Sequence, residues 1–111
     1  MELDVATENR GSACTLTLTG EVDVYTSPEL KKRMLAVIDG GCVNIVVDLE
    51  GLDFIDSSGL GVLVSTLRRV KEQGGTLRLV CSKEGILKIF RITGLDKVFP
   101  VVATVEEAQE F

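Results

Sequence analysis

The sequence has no histidine and no tryptophan, and Tyr25 is the single tyrosine among its 111 residues. The absence of histidine removes the most common general base and excludes a histidine-activated serine hydrolase. No apolar run approaches the roughly 20 residues of a membrane span. The first ten residues, MELDVATENR, place acids early and have no apolar core, so they predict no signal peptide. We expect a cytoplasmic protein that does not enter a membrane.

Cysteine is also scarce, and Cys14, Cys42 and Cys81 stand apart from one another with no CxxC pair. An odd number of separated cysteines is typical of buried thiols in a reducing cytoplasm. We therefore predict three free thiols, no metal site and no cofactor.

Size and charge narrow the class of protein further. A chain of 111 residues has a common size for one domain, so residues 1–111 are predicted to form a single unit. The formal net charge is −5, and lysine and arginine are scattered along the sequence. Because nucleic-acid binding depends on clustered cations that neutralise phosphates, we expect no direct contact with nucleic acid.

Hydrophobic periodicity predicts alternating strands and helices. Leucines alternate with threonines in CTLTLTG at 14–20, as in a half-buried strand, and the run 43–49 is almost wholly apolar, as in a central parallel strand. Apolar residues at spacings of three and four predict helices. The predicted elements are strands at 2–5 and 14–20, a helix within 25–41 capped by Thr26 or Ser27, a strand at 43–49, a helix at 57–73, a strand at 76–81, a helix at 83–94, an edge strand at 97–102 and a helix at 105–111.

This order, β-β-α-β-α-β-α-β-α, predicts an α/β fold with right-handed crossovers between parallel strands. Functional loops of such sheets gather at the carboxyl ends of the strands. We expect a loop at 49–59, LEGLDFIDSSG, at that edge and the loop VDVYTS, at 22–27, beside it.

Asp56, Ser57 and Ser58 can each cap a helix, although a helix has one N-cap. One interpretation is structural: a serine oxygen accepts a backbone N–H, and its loss costs about 1 kcal/mol. In the other interpretation, Ser57 accepts a phosphate from a separate kinase, which would add about −1.5 to −2 charges to a docking surface. Gly59 and Gly61 each cost up to about 1 kcal/mol in a first turn, which favours close approach by another backbone.

Other chemistry at these stretches has weaker support. A catalytic serine would need a base and an oxyanion hole, and no lysine or oxyanion motif accompanies Ser57. The glycines at 59–61 could cradle a phosphate at a helix N-terminus, but they lack the GK[ST] of a P-loop. In GEVDVYTS, at 20–27, Tyr25 fits a plain turn and a binding anchor equally well.

Four stretches together resemble the anti-sigma factor antagonists, which are small members of the STAS (sulfate transporter and anti-sigma factor antagonist) family. They are GEVDVYTSPEL (20–30), DLEGLDFIDSSGLGVLV (48–64), KEQGG (71–75) and ILKIFRITGLDKVF (86–99). The resemblance spans essentially the whole chain and is closest to actinobacterial and Bacillus-type antagonists. It implies a STAS fold, with a mixed sheet of four or five strands and helices mainly on one side.

The resemblance also implies regulation by partner switching, without enzymatic activity. The unphosphorylated antagonist binds an anti-sigma factor, itself an ATP-dependent serine kinase, and so releases a sigma factor. Phosphorylation of the serine after the aspartate breaks this complex, and a PP2C-type phosphatase restores it. By resemblance, Ser57 is the phosphoacceptor. The implied partner-binding residues are Asp23, Tyr25, Ser27, Asp56, Ser58, Gly59, Leu60 and Gly61.

Two other functions stay open for such a chain. It could be a STAS subunit of a stressosome or a lipid-transport complex, or it could sense a nucleotide or small molecule at the helix N-terminus. A neighbouring gene for a kinase-like anti-sigma factor would argue against the first. Absence of heat on titration with GTP and ATP would argue against the second.

Overall fold

The computed structural model describes residues 2–109, which form a five-stranded sheet and four α-helices. Within these residues, no helix has both the length and the apolar character needed to cross a membrane. The elements are β1 (Leu3–Arg10), β2 (Ala13–Val22), α1 (Ser27–Asp39), β3 (Asn44–Ile55), α2 (Ser57–Glu72), β4 (Thr76–Val80), α3 (Glu84–Thr93), β5 (Val101–Val102) and α4 (Val105–Ala108), with a 3-10 turn at Leu95–Lys97.

The strands lie in the order β1-β2-β3-β4-β5, so each strand neighbours the one that follows it in sequence. β1 is antiparallel to β2, and the remaining pairs are parallel. The mixed sheet expected from the sequence is therefore confirmed. Because α1 and α2 both leave the carboxyl ends of parallel strands, their N-termini lie at the same edge of the sheet.

The helices are divided unequally between the two faces of the sheet. α1, α2 and α3 share one core with the sheet, and alternate residues of β3, such as Ile45 and Val47, face it. Of the helices within residues 2–109, α4 alone packs on the opposite face, where Val46, Val80 and Ala108 form a smaller cluster. The prediction of helices mainly on one side is confirmed.

The structure corrects the predicted loop at 49–59, because β3 continues as a strand to Ile55. Its second half pairs with β2 alone and contains two register shifts, one before Gly51 and one between Leu52 and Phe54. A Cβ atom on Gly51 would lie 2.8 Å from the carbonyl oxygen of Leu18, so glycine allows the two strands to pair closely here.

The predicted strand at 97–102 is also corrected. The chain forms the 3-10 turn first, and only Val101–Val102 pair with β4, at the sheet edge as Pro100 had indicated. Phe99 is instead a core residue, whose ring meets Phe90 edge-on with 6.2 Å between centroids. The helix predicted at 105–111 spans Val105–Ala108, and the end of that prediction lies outside the described residues.

The prediction of three free thiols is wrong, because Cys14 and Cys42 form a disulfide. Cys14 lies in β2 beside Ile45 of β3, and Cys42 lies just before β3 begins. Parallel pairing thus brings the two cysteines together, with 6.4 Å between their Cα atoms, although 28 positions separate them in sequence. Cys81 is the remaining free cysteine, and burial raises the pKa of its thiol.

Candidate functional site

Two chain segments that the sequence singled out lie side by side at the carboxyl edge of the sheet. Val22 at the end of β2 pairs with Ile55 at the end of β3. Just beyond this pair, the Asp56 N–H donates a hydrogen bond of 3.1 Å to the Val22 carbonyl. The loop from Asp23 into α1 therefore adjoins the junction from Asp56 into α2, as expected.

Asp56 is the N-cap of α2, and its carboxylate organises the first turn. The oxygen Oδ1 accepts hydrogen bonds from the N–H groups of Ser58, at 2.9 Å, and Gly59, at 3.3 Å. It also accepts a bond from the Ser58 hydroxyl at 2.5 Å. This hydroxyl, together with the backbone N–H groups, lowers the pKa of Asp56 below its ordinary value. The idea that a serine oxygen caps the helix is therefore wrong.

Ser57 and Ser58 are chemically alike but have different surroundings. The Ser58 side chain is half-buried, and its hydroxyl is held by Asp56. Ser57 is exposed, and across residues 2–109 its hydroxyl has no hydrogen-bond partner. It therefore projects a free hydroxyl from the positive end of the α2 dipole, a position that favours added negative charge.

In the loop before α1, the Asp23 carboxylate also binds backbone N–H groups. Unlike Asp56, Asp23 is buried, with 5% of its surface exposed. Its Oδ1 accepts hydrogen bonds from the N–H groups of Tyr25 and Thr26, both at 2.9 Å. The Thr26 hydroxyl occupies the N-cap position but donates to the Glu21 carbonyl and caps no N–H of α1. The predicted capping by Thr26 is therefore corrected, since Asp23 fixes the turn instead.

This rigid turn projects two apolar side chains into solvent. Tyr25 is 86% exposed and Val24 is 63% exposed. Phe54, near the end of β3, is also 40% exposed. Sequence analysis found Tyr25 but missed Val24 and Phe54. Alternation alone would have put Phe54 on the same face as the buried Leu52, two positions before it. The register shift between Leu52 and Phe54 places Phe54 on the exposed face instead.

Several predicted partner-binding residues lie below the surface. Ser27 and Leu60 are each 8% exposed, and Gly59 is buried. A Cβ atom on Gly59 would lie 2.6 Å from Val22 Cγ1, so this glycine lets α2 pack against β2 and is not explained by an approaching backbone. Gly61 is exposed, and an added Cβ atom would meet nothing within 4 Å. In this conformation, Ser27, Gly59 and Leu60 are buried, so they can affect the surface only by supporting the exposed residues packed over them.

This edge of the sheet therefore exposes the Ser57 hydroxyl near apolar side chains and near two aspartates whose carboxylates accept backbone N–H groups. Across residues 2–109, no group of three or more histidine, cysteine or acidic residues is placed to hold a metal ion. Such a surface can be recognised by a partner and altered by adding charge. Among residues 2–109, the Ser57 hydroxyl makes no hydrogen bond to a basic side chain that could activate it as a nucleophile.

Comparison with known proteins gives the family. Residues 4–108 match the STAS domain, and the chain therefore belongs to the STAS domain family. It is similar to the anti-sigma-B factor antagonist of Bacillus subtilis (strain 168), with 32% identity over 106 residues that cover 96% of each chain.

Solved structures agree with this assignment. An anti-sigma factor antagonist from Mycobacterium paratuberculosis superimposes with a TM-score of 0.89 and 27% identity, covering 96% of this chain and 91% of that one. The Bacillus cell fate determinant SpoIIAA in its phosphorylated form superimposes with a TM-score of 0.72 and 26% identity, covering 96% of each. The resemblance to anti-sigma factor antagonists is confirmed.

Proposed function

We propose that this protein is a cytoplasmic anti-sigma factor antagonist that works by partner switching. In its unphosphorylated form it binds an anti-sigma factor that is a serine kinase, and the sigma factor is released. The kinase then phosphorylates Ser57 and ends the interaction. A PP2C-type phosphatase removes the phosphate. The name of the Bacillus subtilis relative supports the antagonist role.

The observation that carries the proposal is the contrast between the two adjacent serines. A kinase requires a hydroxyl that can reach the γ-phosphate of ATP in line with the leaving group. The Ser57 hydroxyl is exposed and makes no bond among residues 2–109, whereas the Ser58 hydroxyl is held by Asp56. SpoIIAA is known in a phosphorylated form, which supports a phosphoacceptor in this family.

The switch follows from the charge that a phosphate adds. A phosphoserine carries about −1.5 to −2 charges at pH 7. In the free protein, the dipole of α2 tolerates this charge, so the fold need not change. In a docked complex, the same charge would be desolvated beside the Asp56 carboxylate, which can cost several kcal/mol. Each 1.4 kcal/mol is tenfold in affinity, so one phosphate would weaken docking about a hundredfold or more.

The docking surface would combine direct and indirect contributions. We assign direct contact to Tyr25 and Gly61, which are exposed beside Ser57. Asp23, Ser27, Asp56, Ser58, Gly59 and Leu60 would hold the shape of that surface. ATP and Mg²⁺ would be bound by the kinase, and this chain would act as its substrate and contribute no catalytic group.

The test is the affinity of phosphomimetic variants for the cognate anti-sigma factor, measured by calorimetry. Ser57→Asp should bind at least tenfold more weakly than wild type, because it adds part of the phosphate charge. Ser12→Asp is the matched control, since Ser12 is exposed in the hairpin between β1 and β2, at the other end of β2. Equal affinity for Ser57→Asp and wild type would overturn the switch.

A further inference from the structure

The two helices α1 and α2 concentrate positive charge in a protein whose formal net charge is −5. They hold six of its 12 lysine and arginine residues but only three of its 17 acidic residues. The six are Lys31, Lys32, Arg33, Arg68, Arg69 and Lys71. These cations look scattered in the sequence because β3 separates the two helices, and the fold brings Lys31, Arg68 and Arg69 to one groove.

A groove of 390 Å³ runs between the helices at this face. Lys31 from α1 and Arg68 and Arg69 from α2 line it, and all three are exposed. Leu35, which is half-buried, gives the groove an apolar patch, and Glu72 is the only acid in its lining.

Among residues 2–109, the cations of the groove form no ion pair with an acidic side chain. Within residues 2–109, the ion pairs join Arg10 to Glu8, Lys83 to Asp53 and Arg91 to Glu84, all outside the groove. Three unpaired cations around one concavity produce a local positive potential, which attracts groups of opposite charge.

We propose that this groove docks an acidic helical segment of a partner protein. Carboxylates of the segment would pair with Lys31, Arg68 and Arg69, and an apolar side chain between them would rest on Leu35. A groove between two helices commonly binds a third helix, which contacts the groove through the residues on one of its faces.

Other anionic partners fit the groove less well. A membrane-binding face needs bulky apolar side chains that enter the lipid, and the large exposed apolar residues of this chain lie outside α1 and α2. Single-stranded nucleic acid favours aromatic stacking platforms, and the groove lining contains no aromatic residue. For a small phosphate compound, the groove offers only exposed cationic side chains, Lys31, Arg68 and Arg69, to hold the phosphate.

The groove is separate from the Ser57 surface. Arg68 lies eleven positions after Ser57 in the same helix, which is about 17 Å along the helix axis. Two partners, or two parts of one partner, could therefore occupy the two places at once. The groove proposal does not depend on phosphorylation of Ser57.

The test uses a helical peptide of about 14 residues, built from glutamate, leucine and alanine, which spans about 21 Å. Titrated into ¹⁵N-labelled protein, it should shift the amide signals around Lys31, Arg68 and Arg69 in a saturable way and leave the Ser57 amide unmoved. Higher salt should weaken this binding, because the contacts are between exposed charges. Shifts spread over the whole surface would overturn the proposal.

Variants and competing probes complete the test. Arg68→Ala with Arg69→Ala should weaken peptide binding about tenfold. The control pair Lys88→Ala with Lys97→Ala, also exposed, should leave it unchanged. The same peptide with lysine in place of glutamate should not bind. Equal loss in both pairs, or stronger binding by a single-stranded oligonucleotide or by phosphatidylglycerol vesicles, would contradict an acidic protein partner.

Discussion

The chain segments that begin α1 and α2 are each fixed by an aspartate, but the two aspartates differ in burial and in the residue exposed beside them. At both, one aspartate oxygen accepts hydrogen bonds from two backbone N–H groups and fixes the turn, and a neighbouring residue is left exposed. At α1 that aspartate, Asp23, is buried, and the exposed residue is Tyr25. At α2 the aspartate, Asp56, is partly exposed, and the exposed residue is Ser57. One helix start exposes an aromatic ring, and the other exposes the hydroxyl that we propose is phosphorylated.

The comparison shows that the residue that fixes the turn differs from the residue that the turn exposes. Because the aspartates satisfy the backbone, the exposed side chains are not needed for folding. Tyr25 and Ser57 are therefore free to serve binding and regulation. If this comparison is right, changes at the two helix starts should differ in their effects on stability and ionisation.

Reduction of the disulfide should produce the largest difference between the two helix starts, because it should destabilise the start of α1 more than the start of α2. The loop closed by Cys14 and Cys42 contains the start of α1 but not that of α2. Opening a loop of this length should lower the free energy of unfolding by roughly 3–4 kcal/mol, measured by urea denaturation with and without reductant. Hydrogen exchange of the reduced protein should rise more in α1 than in α2.

The control for this experiment is the double variant Cys14→Ala with Cys42→Ala, whose stability should not respond to reductant. If the wild-type protein were equally stable with and without reductant, the disulfide would not stabilise the segment that contains the start of α1.

Replacing Asp23 should be the next most damaging change. Asp23→Ala leaves the N–H groups of Tyr25 and Thr26 without their acceptor, which should lower the free energy of unfolding by about 2–3 kcal/mol. Asp23→Asn retains an acceptor oxygen and should lose less. Urea midpoints of the two variants measure the difference, and equal losses would mean that hydrogen bonding to Oδ1 is not the cause.

The two glycines of the first turn of α2 should respond in opposite directions to the same substitution. Gly59→Ala places a methyl group against Val22 and should destabilise the fold by about 1–2 kcal/mol. Gly61→Ala meets open space and should stabilise it by up to about 1 kcal/mol through helix propensity. Thermal denaturation compares them directly. If both variants lost stability alike, Gly59 would have no special packing role.

The smallest effect concerns the ionisation of Asp56. Its pKa is lowered in the folded protein, chiefly by the Ser58 hydroxyl, so Ser58→Ala should raise it. A depressed carboxyl pKa stabilises the fold above the unfolded value, near pH 4, and that contribution is lost as pH falls through the folded pKa. An NMR titration of the Asp56 side chain reports this shift. An unchanged pKa in Ser58→Ala would assign the effect to the backbone N–H groups alone.

Local sequence signals predicted much of the fold and the place of the site. Alternation in 14–20, helical spacing after Ser57 and the paired glycines after α1 and α2 were enough to order the elements. The adjacency of the two functional segments followed from the rule for parallel sheets. These predictions succeeded because they depend on periodicity and connectivity, which a sequence displays directly.

The features that sequence analysis missed depend on contacts between distant residues. The disulfide requires the β2–β3 register to be known, and the strand beyond Leu49 requires Gly51 to be recognised as a close contact with Leu18. The choice of Asp56 over its serine neighbours as cap is decided by backbone dihedral angles, which residue type alone does not specify.

The most direct test of the central claim locates the phosphate itself. The wild-type protein is incubated with ATP and its cognate anti-sigma kinase, and its peptides are analysed by mass spectrometry. Wild type and Ser58→Ala should each gain one phosphate on Ser57, and Ser57→Ala should gain none. A phosphate on Ser58, or one retained by Ser57→Ala, would contradict the account.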